Sequence, residues 1–159
     1  SPTWPSDRVA FFNLLASHDG IGLNPVQCIL TKAEIEALAS RALAHGGFLS
    51  FKELPDHTQV PYELNINYLD ALSNPRRGEP AELAARKFLT AHAILLSLQG
   101  VPGIYFHSLL GSRGDRAGAE TSGLKRRINR EKLARAQLES ELAEAGSCLL
   151  YTSPSPRDS

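Results

Sequence analysis

The run Val9 to Ala16 is apolar at every position but Asn13, and it stops abruptly at Ser17-His18-Asp19-Gly20-Ile21-Gly22. A near-continuous apolar run of this length predicts a strand buried on both faces, as in a parallel sheet. Gly20 and Gly22 let the backbone turn sharply where that strand ends. Parallel α/β domains keep their chemistry at the C-terminal ends of their strands. His18 and Asp19 are therefore a candidate catalytic pair. The alternative is a turn in which Asp19 only caps local amides.

Thr31-Lys32-Ala33-Glu34 has the form of a capping box, with a hydroxyl N-cap and Glu at the third helical position. Ile35, Leu38 and Ala42 give the helix one apolar stripe, and Gly46-Gly47 ends it. Phe48 to Phe51 is short and β-prone, and Lys52 to Pro61 reads as an exposed loop. Tyr62 to Leu69 alternates and fits a short strand or an extended segment, with Leu64, Ile66 and Tyr68 on one face. Ser73 to Gly78 is a turn, and Pro80 suits the first position of a helix running to about Gln99. The second half of that helix is apolar nearly all round, which predicts burial. Val101 to Phe106 reads as a second buried strand ending in His107-Ser108. Strand, connection, helix and strand make a βαβ unit, so the two strands are expected to be parallel neighbours with His18-Asp19 and His107-Ser108 on one rim. Ser112 to Gly123 is a Gly- and Ser-rich loop. Asn129 is placed to cap a last helix, Arg130 to Ala145, with Glu131 and Arg135 as an i,i+4 pair and Ala134, Leu138 and Leu142 on one apolar face. The basic cluster Lys125 to Arg130 is either a solvated face or a phosphate contact.

Composition excludes several classes. Lys+Arg 17 against Asp+Glu 17 gives zero formal charge, and no basic stripe with interleaved aromatics argues for nucleic acid. No apolar run approaches the roughly 20 residues of a membrane helix. The N-terminal Ser1-Pro2-Thr3-Trp4-Pro5 is not a secretory signal. With no Met in the sequence, the chain is expected to start inside a longer protein. Cys28 and Cys148 lie far apart with no metal or redox spacing, which fits a reducing, cytoplasmic setting. No cofactor or metal is implied, and oligomeric state is left open. From Cys148 to Asp158 the sequence has no helical or strand period. It resembles the in-frame translation of a transposon-derived sequencing adapter, and residues 148–159 are expected to be a foreign or disordered tail.

Four ordered stretches carry a family resemblance. Phe12 to Gly22 resembles the fourth signature region of glycoside hydrolase family 13, and its Ser-His-Asp-Gly-Ile-Gly form is similar to the sucrose-phosphorylase subfamily. Tyr62 to Leu72, Gln99 to Gly111 and Arg127 to Leu133 match in the same order. The resemblance implies an α/β fold, a partial TIM (β/α)8 barrel. Residues 1–147 would form the C-terminal part of the catalytic barrel, with its seventh and eighth strands at Val9 to Ala16 and Val101 to Phe106. Ala44 to Asp70 would belong to the excursion between those strands, which helps shape the acceptor site.

The reaction implied is retaining glucosyl transfer from sucrose, or from a glucosylglycerate- or glucosylglycerol-type donor, to inorganic phosphate. Such chemistry uses a nucleophilic carboxylate and an acid about 5 Å apart, with an oxocarbenium-like transition state. Asp19 matches the family's transition-state stabiliser, His18 its sugar-binding neighbour, and Arg126 an arginine on the donor glucose. Tyr62 falls at the end of the acceptor loop. The nucleophile and acid/base belong to upstream strands, so this chain alone is expected to be inactive. Thr58 to Pro61 departs from the acceptor loop of sucrose phosphorylases. Asn129 to Leu133 looks more like the branch acting on glucosylglycerate or glucosylglycerol. An amylase-type hydrolase or transglucosylase, or a non-catalytic interaction module, are the competing readings.

Overall fold

The computed structural model describes residue 6 and residues 8–143. The expected tail at 148–159, Cys148 included, lies outside the described residues, as do residues 144 and 145 of the expected last helix. β1 (Phe12–Leu14) and β5 (Val101–Gly103) pair in parallel, with Phe12 opposite Val101 and Leu14 opposite Gly103. The βαβ expectation therefore holds. Both strands are shorter than the apolar runs that encode them. They are also not buried on both faces: Phe12 is 66% and Val101 53% exposed. A two-stranded sheet offers each strand one neighbour, and the Phe12 ring lies over Gly103 of that neighbour with its outer side exposed. Asn13, the one polar residue of the run, is used structurally. Its side-chain amide donates to the Gln99 carbonyl at 3.0 Å, joining β1 to the segment that leads into β5. Gly100 sits there at φ +136°, where a Cβ would come within 2.6 Å of the Phe11 carbonyl oxygen. Only glycine fits that close approach.

The connection between the strands carries the second sheet. β2 (Ile21–Gly22) and β3 (Phe48–Glu53) flank β4 (Gln59–Asn65), and both pair with it antiparallel. The loop expected from Lys52 to Pro61 is thus largely hairpin. Pro61 misled the reading because a proline is usually barred from a sheet interior. Here it lies opposite Phe51, next to a register shift between Ser50 and Phe51, where the ladder is already irregular. α1 (Lys32–Ala44) starts on the expected capping box: Thr31 Oγ1 accepts from the Glu34 amide at 3.3 Å, and Glu34 Oε2 accepts from the Thr31 amide at 2.8 Å. Its buried Ala39 and Ala42 pack with Leu23, Leu64 and Ile66 into the first core. Tyr68 does not share that face. It begins α2 (Tyr68–Leu72), whose N-cap is Asn67, and packs on Leu69, Ala84 and Phe88 in a second core.

α3 (Ala81–Ser97) buries Ala84, Ala85, Phe88 and Leu95, but Ile94 and Leu96 are each 58% exposed. The expected all-round burial of its second half is not met, because only one side of the helix meets the described chain. After β5 come α4 (Phe106–Leu109) and α5 (Arg116–Ser122). α5 occupies the stretch expected as loop. Asp115 caps it by accepting from the Gly118 amide at 2.7 Å, and Gly123 ends it at φ +68°. A 3-10 turn covers Lys125–Asn129, and α6 spans Arg135–Ala143. The last helix therefore begins at Arg135, not Arg130. Asn129 does not cap it, and Arg135 pairs with Glu139 instead of Glu131.

Candidate functional site

The segment leaving β1 and the segment leaving β5 line one cavity of about 400 Å3, bordered by Leu14, Asp19, Ile21, Tyr105, Ser108 and Asn129. Its size falls within the ~300–1,000 Å3 of small-ligand clefts. The polar rim expected from the sequence is half met: Asp19 and Ser108 line the cavity, whereas His18 and His107 do not. The His107 ring is buried beside Tyr105 and Phe106, with Nδ1 2.7 Å from Ser112 Oγ. Burial holds the His107 pKa below the ordinary histidine value, and a bond with the Glu131 backbone pulls it partly back. It is a packed, neutral-favouring histidine.

His18, Asp19 and Arg126 do come together. Arg126 Nη1 lies 3.2 Å from Asp19 Oδ1, and His18 Nε2 lies 3.6 Å from Asp19 Oδ2. Two residues the sequence reading did not single out complete the contacts. Arg130 Nη2 donates to Asp19 Oδ1 at 2.9 Å, and its Nε donates to the His18 carbonyl at 3.0 Å. Glu63, on β4 and almost wholly buried, accepts from the Gly20 amide at 3.0 Å through Oε1 and from Arg126 Nε at 3.1 Å through Oε2. The hydrogen bond that Arg126 donates to Glu63, then the charge of Glu63 and that of Asp19, hold the Arg126 pKa above the ordinary arginine value. Tyr62 is half-buried and does not line the cavity. The basic cluster is thus split: Arg126 and Arg130 turn onto Asp19, while Arg127 pairs with Asp115 and Lys125 donates to the Leu49 carbonyl.

The turn itself is shaped by β4. A Cβ at Gly20 would stand 2.4 Å from the Leu64 carbonyl oxygen and 2.8 Å from Glu63 Cγ. The chain can pass there only as glycine, so Gly20 is what lets Glu63 reach the amide. The sequence did hold a signal for Glu63: a charged residue inside an alternating strand needs a partner of opposite sign. The arrangement offers an anionic carboxylate at the edge of a cavity, flanked by two guanidinium donors. Glu63 has both oxygens engaged and is not free to serve as nucleophile or proton donor. Among the described residues there is no group of three His, Cys, Asp or Glu placed to hold a metal ion.

Comparison with known proteins gives this geometry a context. The chain is 54% identical to the glucosylglycerate phosphorylase of Allomeiothermus silvanus over 145 residues, 91% of this chain and 26% of that protein. It is 48% identical to the glucosylglycerate phosphorylase of Escherichia coli over 140 residues, 88% of this chain and 25% of that protein. The chain is a homologue of the glucosylglycerate phosphorylases. It spans about a quarter of the length of these curated relatives. No protein-family model matches it. The sucrose 6F-phosphate phosphorylase of Thermoanaerobacter thermosaccharolyticum superposes with a TM-score of 0.71 at 21% identity, covering 88% of this chain and 28% of that structure. At that identity the likeness speaks for the fold, and it bears out the partial α/β barrel.

Proposed function

We propose that this chain is part of a retaining α-glucosyl phosphorylase of glycoside hydrolase family 13, in the sucrose-phosphorylase subfamily, acting on a glucosylglycerate-type donor. The observation that carries this is the convergence of His18, Asp19 and Arg126 in a chain about half identical to glucosylglycerate phosphorylases along nearly its whole length. The donor's glycosidic bond breaks, the glycerate-type leaving group departs protonated on its oxygen, and inorganic phosphate then takes the glucosyl group from the enzyme carboxylate, releasing glucose 1-phosphate. Asp19 is the transition-state stabiliser: its carboxylate faces the positive charge that develops at the sugar, where a preorganised opposite charge counts most. His18 and Arg126 hold hydroxyls of the same sugar, and Tyr62 lies on the acceptor side. The nucleophile and the acid/base come from elsewhere in the enzyme, since a retaining reaction needs a pair of carboxyl groups besides the stabiliser.

The proposed donor, phosphate and the cytoplasmic setting come from the relatives and the cysteine usage. Among the described residues no helix is long and apolar enough to cross a membrane. The test is a chimera in which residues 8–143 replace the homologous segment of the Escherichia coli relative. Glucose 1-phosphate release that requires phosphate supports the proposal. Phosphate-independent release of free glucose favours the amylase-type hydrolase, and a folded chimera with neither activity removes the assignment.

A further inference from the structure

Asp19, Arg126, Glu63 and Gly20 close a ring. The chain passes from Asp19 to Gly20, the Gly20 amide donates to Glu63 Oε1, Arg126 Nε donates to Glu63 Oε2, and Arg126 Nη1 returns to Asp19 Oδ1. Three of these links are side-chain contacts, and Glu63 makes two of them. Its side chain is only 5% exposed, whereas that of Arg126 is 46% exposed. The buried carboxylate is therefore the fixed member and the guanidinium the adjustable one. A free arginine beside a carboxylate settles into a bidentate fork. Here Nε is hydrogen-bonded to Glu63, and the Arg126–Asp19 contact runs from Nη1 to Oδ1 at 3.2 Å.

We propose that Glu63 is a positioning residue for Asp19: it holds Arg126 by Nε, so that the guanidinium meets Asp19 by Nη1 and does not close a two-pronged fork on that carboxylate. This rests on the phosphorylase assignment above. Two carboxylates and the two guanidiniums of Arg126 and Arg130 balance in charge at the site. Without the Glu63 charge, Arg126 has one anion to serve instead of two. The ring also ties the β3–β4 hairpin to the turn that carries Asp19, so a hairpin contributed by the excursion sets the geometry at the strand ends. Glu63→Gln keeps the shape but not the chemistry. A glutamine carboxamide has one acceptor oxygen and a donor NH2, so it can serve Gly20 or Arg126 but not both.

The first test needs no turnover. In 15N-resolved NMR of this chain, the Arg126 Nε–H signal is followed for hydrogen exchange beside the amides of Gly20 and Leu64. In the Glu63→Gln variant the Arg126 Nε–H should exchange at least about tenfold faster while Leu64, in the β2–β4 ladder, keeps its protection. An unchanged Arg126 signal overturns the proposal. Equal loss of protection at Leu64 also overturns it, because Glu63 would then be holding up the sheet. The second test is a double-mutant cycle in the chimera described above. Glu63→Gln alone should lower kcat about tenfold, and in an Arg126→Lys background it should cost less than about twofold more, as for residues in one hydrogen-bond network. Independent, multiplying losses overturn the route through Arg126. A folded but inactive chimera with Glu63 intact speaks against the phosphorylase assignment, while the NMR result still decides the ring.

Discussion

The Asn129 side chain donates to the Asp19 carbonyl at 2.9 Å across 110 positions of sequence, and the same amide nitrogen lies 3.3 Å from the Ile66 carbonyl. One buried carboxamide thus holds the Asp19 turn to the end of β4. Tyr105 Oη in turn donates to the Asn129 carbonyl at 2.7 Å. Three separated segments meet at Asn129, which explains why it is not spent on capping a helix.

Asn129→Ala leaves two buried carbonyls without this donor. Unsatisfied buried groups cost about 1–3 kcal/mol each, with partial relief where water enters. We expect a loss of about 2–3 kcal/mol in urea unfolding at unchanged m-value. Asn129→Asp should do no better, since a carboxylate offers no donor to either carbonyl. A loss below about 0.5 kcal/mol, the scale of an ordinary surface substitution, would mean the bonds are replaced by water.

Gly20→Ala tests the contact that sets the turn. Its methyl would stand 2.4 Å from a backbone oxygen of β4, which cannot swing aside as a long side chain can. Overpacking of this kind costs about 1–3 kcal/mol. The Gly20 amide should also leave Glu63, visible as an upfield shift of its NMR signal. Gly22→Ala is the control. A Cβ there meets nothing nearer than Pro25 Cδ at 4.0 Å, so a small effect is expected.

His107 predicts how stability follows pH. Its folded pKa is depressed by burial, so the unfolded chain binds a proton more readily than the folded one. The stability it contributes is complete above the unfolded value, about 6.5, and is lost as pH falls toward and below the folded value. Unfolding free energy should therefore decline on acidification from about pH 7 to pH 5. His107→Gln, which does not titrate, should flatten that part of the profile. An identical slope in the variant would assign the decline to other groups.

The sequence was most legible where one local signal decided the outcome. Thr31 and Glu34 announced a helix start, and the apolar runs around Leu14 and Val101 announced parallel strands. His18, Asp19 and Arg126 were placed by resemblance, and they meet. The misses share a physical cause: each depended on a partner far along the chain. Pro61 is tolerated because of an irregularity beside Phe51 on the neighbouring strand, and Asn129 is claimed by Asp19 before it can cap a helix. Glu63 stands out as a charge inside an alternating strand, but its partners Gly20 and Arg126 are named only by the fold. The exposure of Ile94, Leu96 and Phe12 has another origin. Their apolar pattern is written for neighbours that the described residues do not supply.

Asp19 itself makes the sharpest prediction, in the chimera that restores a full-length enzyme. Asp19→Asn keeps the shape and one acceptor oxygen but removes the charge. Arg130 and Arg126 can still donate to that oxygen, and these half-exposed ion pairs are worth little in stability, about 0–1 kcal/mol each. The melting temperature should therefore change little while kcat falls. Deleting a group that acts on charge developing only in the transition state costs about 10²–10³ in rate, with oxyanion-hole donors as the guide. KM for the donor should move less than kcat, because the contact strengthens as the bond breaks. Arg126→Ala should raise KM as well, since its proposed sugar contact is already present in the bound ground state. If Asp19 only shaped the turn, asparagine would serve almost as well. Steady-state phosphorolysis of both variants, run beside thermal melts, separates the two roles. An Asp19→Asn enzyme within about threefold of the unsubstituted kcat falls far short of the loss that removing transition-state charge demands, and the stabiliser role would then have to be given up.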